Sequence, residues 1–169
     1  IQILAYDINP ELCNPPNLDI REMNKCEIIF ISVPTPMSKN GSCHLNIVDS
    51  VLKDLKRINY SGIVVLRSTV PVGTCDKLEC YFMPEFLTEK NFVQDFINNP
   101  DWIFGCLDTP HVGVFQHKMT ELFDLAHKNG RVKSKTLHFV SNKEAEMVKM
   151  FRNTFLATKV AFCNEINEF

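Results

Sequence analysis

Two apolar periods alternate along the chain. Short apolar runs occur at IQILAY (1–6), EIIFISV (27–33), GIVVL (62–66), YFM (81–83), WIFGC (102–106) and TLHFV (136–140). Runs of this length read as strands, and the unbroken apolarity of 27–33 fits a strand covered on both faces. Between the runs, apolar residues recur at helical spacing. Leu45, Val48, Val51 or Leu52, and Leu55 mark a helix over 45–58. Further helices are predicted over 71–78 with Pro71 in the first turn, over 92–97, and over 110–127 with Thr109 as cap and Asn129-Gly130 as stop. Asp19 is placed to cap a short helix ending near Lys25. The longest pattern comes last: Met147, Val148, Phe151, Phe155, Leu156, Val160 and Phe162 fall near a 3.6-residue repeat within Ser141–Phe169. Ser141 or Asn142 caps it, with Glu144 as the capping-box acid.

Strands alternating with helices predict an α/β, Rossmann-like, doubly wound fold with a mostly parallel sheet over residues 1–140. The start of a long central helix follows over 141–169. That helical pattern runs to the final residue without a stop signal, so the chain is expected to continue into more protein.

Composition narrows the classes. A formal net charge of −2 gives no basic field for nucleic acid or an anionic membrane. No apolar run is long enough to span a bilayer, and the chain opens on a strand-like segment with no signal pattern. The seven cysteines are scattered, with no CxxC pair and no histidine at ligand spacing. Neither a disulfide framework nor a metal site is expected. The thiols read as buried residues of a cytoplasmic protein, Cys163 among them on the long helix.

In a doubly wound sheet, ligands gather beyond the carboxyl ends of the strands. Asp7, Thr35, Ser68-Thr69 and Glu85 stand at such ends. Asp7 is either an acceptor for a ribose or a turn acid. Thr35, held between two prolines, is either a rigid ligand-lining residue or a structural turn. Ser68 and Thr69 offer hydroxyls and N–H groups either to a ligand or to a helix cap. Glu85, between a proline and two apolar residues, is either a partly desolvated base acting near neutral pH or a surface acid, and Glu89 raises the same choice. On the long helix Lys149 and Asn153 lie one turn apart. They are either an amine and an amide aimed at one ligand atom, or a solvated lysine paired with Glu146 and a surface asparagine.

Five motifs in order decide among these: VPTP at 33–36, STVPVGT at 68–74, PEFLTE at 84–89, NPDWIFG at 99–105 and EAEMVKMFRNTFLATKVAFCNE at 144–165. Together they resemble the UDP-glucose/GDP-mannose dehydrogenase family, in wording closer to its bacterial members. The resemblance implies oxidation of a nucleotide-sugar C6 alcohol to a carboxylate by two NAD-dependent hydride transfers, through a cysteine-bound thioester. It implies a cofactor site of Asp7, Val33, Thr35, Ser68, Thr69 and Glu89. It implies substrate contacts from Glu85, Phe86, Leu87, Lys149 and Asn153. Thr69 would hold a catalytic water, Glu85 would serve as acid/base, and Lys149 with Asn153 would stabilise an alkoxide. The resemblance also implies that the family's Gly-rich phosphate loop lies before Ile1 and its nucleophilic cysteine beyond Phe169. The segment on its own is then expected to be inactive. UDP-glucose is the expected substrate, with GDP-mannose and UDP-N-acetylhexosamines as alternatives. A homo-oligomer through the long helix is expected, and a non-catalytic relative serving as an interaction module is the other reading.

Overall fold

The structure is a computed structural model and describes residues 2–168. The chain divides into two compact units, Ile1–Val65 and Leu66–Phe169.

In the first unit the Asp19 carboxylate accepts the Arg21 N–H at 2.8 Å and caps a short 3-10 helix over Ile20–Lys25. Strand β1 spans Ile28–Ile31 and helix α1 spans Asn46–Arg57. Helix α1 buries Val48 and Leu55, two turns apart on one face. It stops because Asn59 takes a φ of +56°. The Tyr60 N–H then reaches Leu55 O and the Asn59 N–H reaches Lys56 O, a Schellman closure that satisfies the last carbonyls. The Ile63 N–H donates to Glu27 O at 3.0 Å and opens strand β2, Ile63–Leu66.

The strand expected over 1–6 does not form among the described residues, and Ile1 lies outside them. Ala5 makes an isolated two-way bridge with Asn14, while Ile3 and Tyr6 stand exposed. Alternating apolarity without a paired neighbour gains neither a hydrogen-bond ladder nor burial.

The second unit holds α2 (Thr74–Leu78), β3 (Tyr81–Phe82), α3 (Phe92–Ile97), β4 (Trp102–Cys106), α4 (Val112–Lys128), β5 (Leu137–Ser141) and α5 (Asn142–Asn167). Strands β4 and β5 run parallel, from Trp102 opposite Leu137 to Cys106 opposite Ser141, with α4 as the crossover. Strand β3 is the antiparallel exception, with Phe82 opposite Gly105. The expected α/β alternation is therefore present, in a mixed sheet.

Successive residues of β4 face opposite ways. Phe104 meets Phe115 and Phe123 of α4 edge-on, at centroid distances of 5.9 and 5.6 Å. Gly105 turns the other way, toward α5. A Cβ placed there would lie 2.7 Å from Asn142 Oδ1 and 3.0 Å from Asn142 Cα. Helices thus cover both faces of β4, and α5 reaches its face only because residue 105 lacks a side chain.

Two helix starts differ from expectation. Pro71 precedes α2, because Gly73 at φ +84° cannot belong to a right-handed helix. Helix α4 begins at Val112, since Thr109 is held in a turn by its own N–H to Leu107 O and accepts the Val112 N–H through its carbonyl.

Candidate functional site

The site is built on the first three turns of α5. Ser141 caps the helix: its Oγ accepts the Glu144 N–H at 3.3 Å, and Glu144 Oε2 accepts the Ser141 N–H at 2.8 Å. The apolar stripe should face the core of such a helix. Instead the buried residues are Asn142, Ala145, Glu146 and Lys149, while Met147, Phe151, Phe155, Leu156, Val160 and Phe162 are exposed. Cys163, expected in the core, is also exposed, because the later turns of α5 carry no buried residue among those described.

Each buried polar residue reaches a different loop. Asn142 Nδ2 donates to Asp76 Oδ1 at 2.9 Å and to Cys80 O at 3.1 Å. Glu146 is fully buried and accepts the Gly73 N–H at 2.5 Å and the Cys75 N–H at 2.7 Å, one on each carboxylate oxygen. Lys149, 5 % exposed, donates to the main-chain oxygen of Glu85 and, at 2.7 Å, to Glu85 Oε1. The solvated Lys149–Glu146 pair is therefore not formed: both side chains are buried, each with another partner.

The Leu87 N–H occupies the other Glu85 oxygen, Oε2, at 2.9 Å. Burial pushes the Glu85 carboxyl up. The hydrogen bonds from Lys149 and Leu87, with the charges of Lys149 and Arg67, outweigh it and leave the carboxyl below its ordinary range. Glu85 is accordingly an ionised carboxylate at neutral pH, not the raised base that its apolar neighbours suggest. Phe86 carries two cations over its ring, Arg152 at 4.0 Å and Lys149 at 5.7 Å.

Arg67 follows β2 and leads into Ser68 and Thr69. Its guanidinium lies 5.7 Å from the Phe96 ring centroid, and burial lowers its pKa against the opposing pull of Glu85. Among the described residues its buried Nε has no acceptor. Arg67, Glu85, Leu87, Phe96, Asn99 and Trp102 line one small cavity.

The remaining expected residues are placed less compactly. Ser68 is buried and Thr69 half-buried after β2; Glu89 and Asn153 are exposed. In the first unit, Val33 and Thr35 are half-buried beyond β1. Asp7 is exposed, and its Oδ1 accepts the Asn9 N–H at 2.8 Å as a turn acid does. Arg67 carries no signal in the sequence, and Asn142 and Glu146 are expected there only as a helix cap and as a solvated partner of Lys149, not as buried residues. One signal was available: Asn142, Glu146 and Lys149 fall at i, i+4 and i+7, the spacing of a buried face, written in polar residues.

A Rossmann-like α/β chain with polar residues beyond its strand ends is the architecture of a dinucleotide-binding domain. Residues 17–127 match the NAD binding domain of the UDP-glucose/GDP-mannose dehydrogenase family, and 143–169 match that family's central domain. The chain belongs to this family. It is 34% identical over 163 residues to the UDP-glucose 6-dehydrogenase of Rickettsia prowazekii, covering 89% of this chain and 36% of the relative. It is 33% identical over 129 residues to the Campylobacter jejuni enzyme of the same name, covering 72% and 31%. Among solved structures it resembles a GDP-mannose dehydrogenase of Pseudomonas aeruginosa (TM-score 0.70, 25% identity, 88% of this chain and 36% of that one). It also resembles a UDP-glucose dehydrogenase of Pyrobaculum islandicum (TM-score 0.68, 26% identity, 85% and 35%). The chain thus spans about a third of the length of the relatives it matches. NAD is the cofactor of the matched domain. The exit of β2 fits such a polyanion: a buried guanidinium N–H without an acceptor precedes two hydroxyl residues.

Proposed function

We propose that this chain is the NAD-binding part of a cytoplasmic nucleotide-sugar 6-dehydrogenase that converts UDP-glucose to UDP-glucuronate. The observation that carries the reading is the Lys149–Glu85 pair, two side chains 64 residues apart that the family's chemistry requires in one place. Two NAD molecules, bound in succession, would each accept one hydride, one for each oxidation. Asp7, Val33, Thr35, Ser68, Thr69 and Glu89 would line the cofactor. An ammonium has three N–H donors. Lys149 spends two of them on Glu85, which leaves one for a developing substrate oxygen. Asn153, one turn further on the same helix, would supply a second donor. The Glu85 carboxylate, held ionised, would take the proton from a water that Thr69 positions, and Phe86 and Leu87 would contact the sugar.

The named relatives favour UDP-glucose over GDP-mannose or a UDP-N-acetylhexosamine. The exposed Phe151, Phe155 and Phe162 support a homo-oligomer through α5.

Calorimetric titration of NAD into residues 1–169, followed by an NADH absorbance assay with UDP-glucose, tests the reading. Saturable NAD binding without turnover is expected. No NAD binding would overturn the reading that these residues hold the cofactor without the phosphate loop, and steady-state NADH formation by the purified chain would overturn the claim that the segment is inactive alone.

A further inference from the structure

Glu146 is fully buried on the face of α5 that also presents Lys149, and the role proposed above does not use it. Its partners are main-chain N–H groups of Gly73 and Cys75. The Cys75 thiol also approaches Glu146; its pKa is driven up chiefly by the Cys80 thiol, then by burial, with Glu146 contributing. Withdrawing a carboxylate from water is costly, and an apolar side chain of similar volume often stabilises a fold as well or better. What an apolar residue cannot do is fix two N–H groups at hydrogen-bond distance from a helix.

The fixed point lies close to the site. Gly73 sits in the left-handed region at φ +84°, where the backbone alone has little preference to stay. Between Thr69 and Gly73 the chain is stiff. Pro71 has a locked φ, and its carbonyl accepts both the Thr74 N–H at 3.1 Å and the Thr74 hydroxyl at 2.6 Å. A shift at Gly73 therefore passes back to Thr69. On α5, Glu146 and Lys149 are separated by about 4.5 Å of helix rise. We infer that Glu146 is a positioning residue: it references the Ser68–Thr69 loop to the same helix that carries Lys149, so that the hydroxyls and the Lys149–Glu85 pair keep one fixed relationship.

The inference rests on the reading that Ser68 and Thr69 meet the cofactor, and its test separates the two. Glu146→Gln preserves shape but leaves one acceptor oxygen for two N–H groups. In residues 1–169 the expected result is a folded protein whose amide signals move at Gly73 and Cys75, and also at Ser68 and Thr69, with NAD affinity lowered about tenfold. Amide changes confined to 73–75 with unchanged NAD affinity would overturn the inference. If the unaltered chain binds no NAD, the reading that Ser68 and Thr69 hold the cofactor without the phosphate loop falls, and their amides alone decide the positioning role. Should Glu146→Gln fail to fold, Glu146→Asp keeps both oxygens one methylene short and is read by the same signals.

Discussion

Lys149 and Glu85 meet at 2.7 Å across 64 residues of sequence, with the lysine almost completely buried and the glutamate about a third exposed. One partner therefore depends on the contact far more than the other. Removing the carboxylate leaves an ammonium in a dry site, whereas removing the ammonium leaves a carboxylate that water and the Leu87 N–H still reach.

Glu85→Gln should consequently cost more stability than Lys149→Met. We expect about 2–3 kcal/mol for the first and about 1 kcal/mol for the second, following the cost of stranding a buried charged partner. The double variant should lose less than the sum, because it strands no charge. Urea midpoints of the three variants at neutral pH check the order.

The same pair sets a pH dependence. The folded carboxyl of Glu85 lies below its ordinary value, so its contribution is complete above the unfolded pKa of about 4.3. That contribution is lost as pH falls through the lowered folded value. The stability gap between the unaltered protein and Glu85→Gln should thus be constant from pH 7 to about 5 and narrow below about 4. A gap that widens on acidification would show that the carboxyl is raised.

Gly105 and Gly73 should fail differently. A methyl at 105 meets Asn142 Oδ1 at 2.7 Å and the Asn142 and Phe82 backbone-proximal carbons at 3.0 Å, where nothing is free to yield. Gly105→Ala should cost about 2–3 kcal/mol and disturb α5. At Gly73 a methyl finds open space, so Gly73→Ala costs only the left-handed backbone, about 1–2 kcal/mol. Thermal unfolding separates the magnitudes, and the Asn142 side-chain amide signal should move only in the first variant.

Ser141→Ala removes one side of the capping box and should cost about 1 kcal/mol. Faster amide exchange at Glu144, with exchange in α4 unchanged, would localise the loss to the first turn of α5.

Much of this architecture was legible. Strand β4, helix α3 and the Ser141–Glu144 cap follow from apolar runs, helical spacing and cap chemistry, all local signals. The face of α5 was not. Met147, Phe151 and Phe155 make a convincing apolar stripe, yet they are exposed in this chain while Asn142, Glu146 and Lys149 are buried. What decides the burial is a set of backbone N–H and C=O groups at Gly73, Cys75, Cys80 and Glu85, far away in sequence and silent in any periodicity. The reversal of Glu85 has the same origin. Its neighbours in sequence are apolar, and the two cations that lower its pKa arrive from α5 and the end of β2. Asp7 would stand at a strand end only if residues 1–6 had a paired neighbour, and they make a single bridge.

The bare contact between Gly105 and Asn142 sets the start of α5 directly against β4. From there the helix runs about 37 Å to its last turn. A rocking of about 5° about that point would swing the far end by about 3 Å, yet would move Lys149, roughly 10 Å along, by about 1 Å. Glu146 and Lys149 sit on the short arm of that lever, each tied to a loop by its own hydrogen bonds.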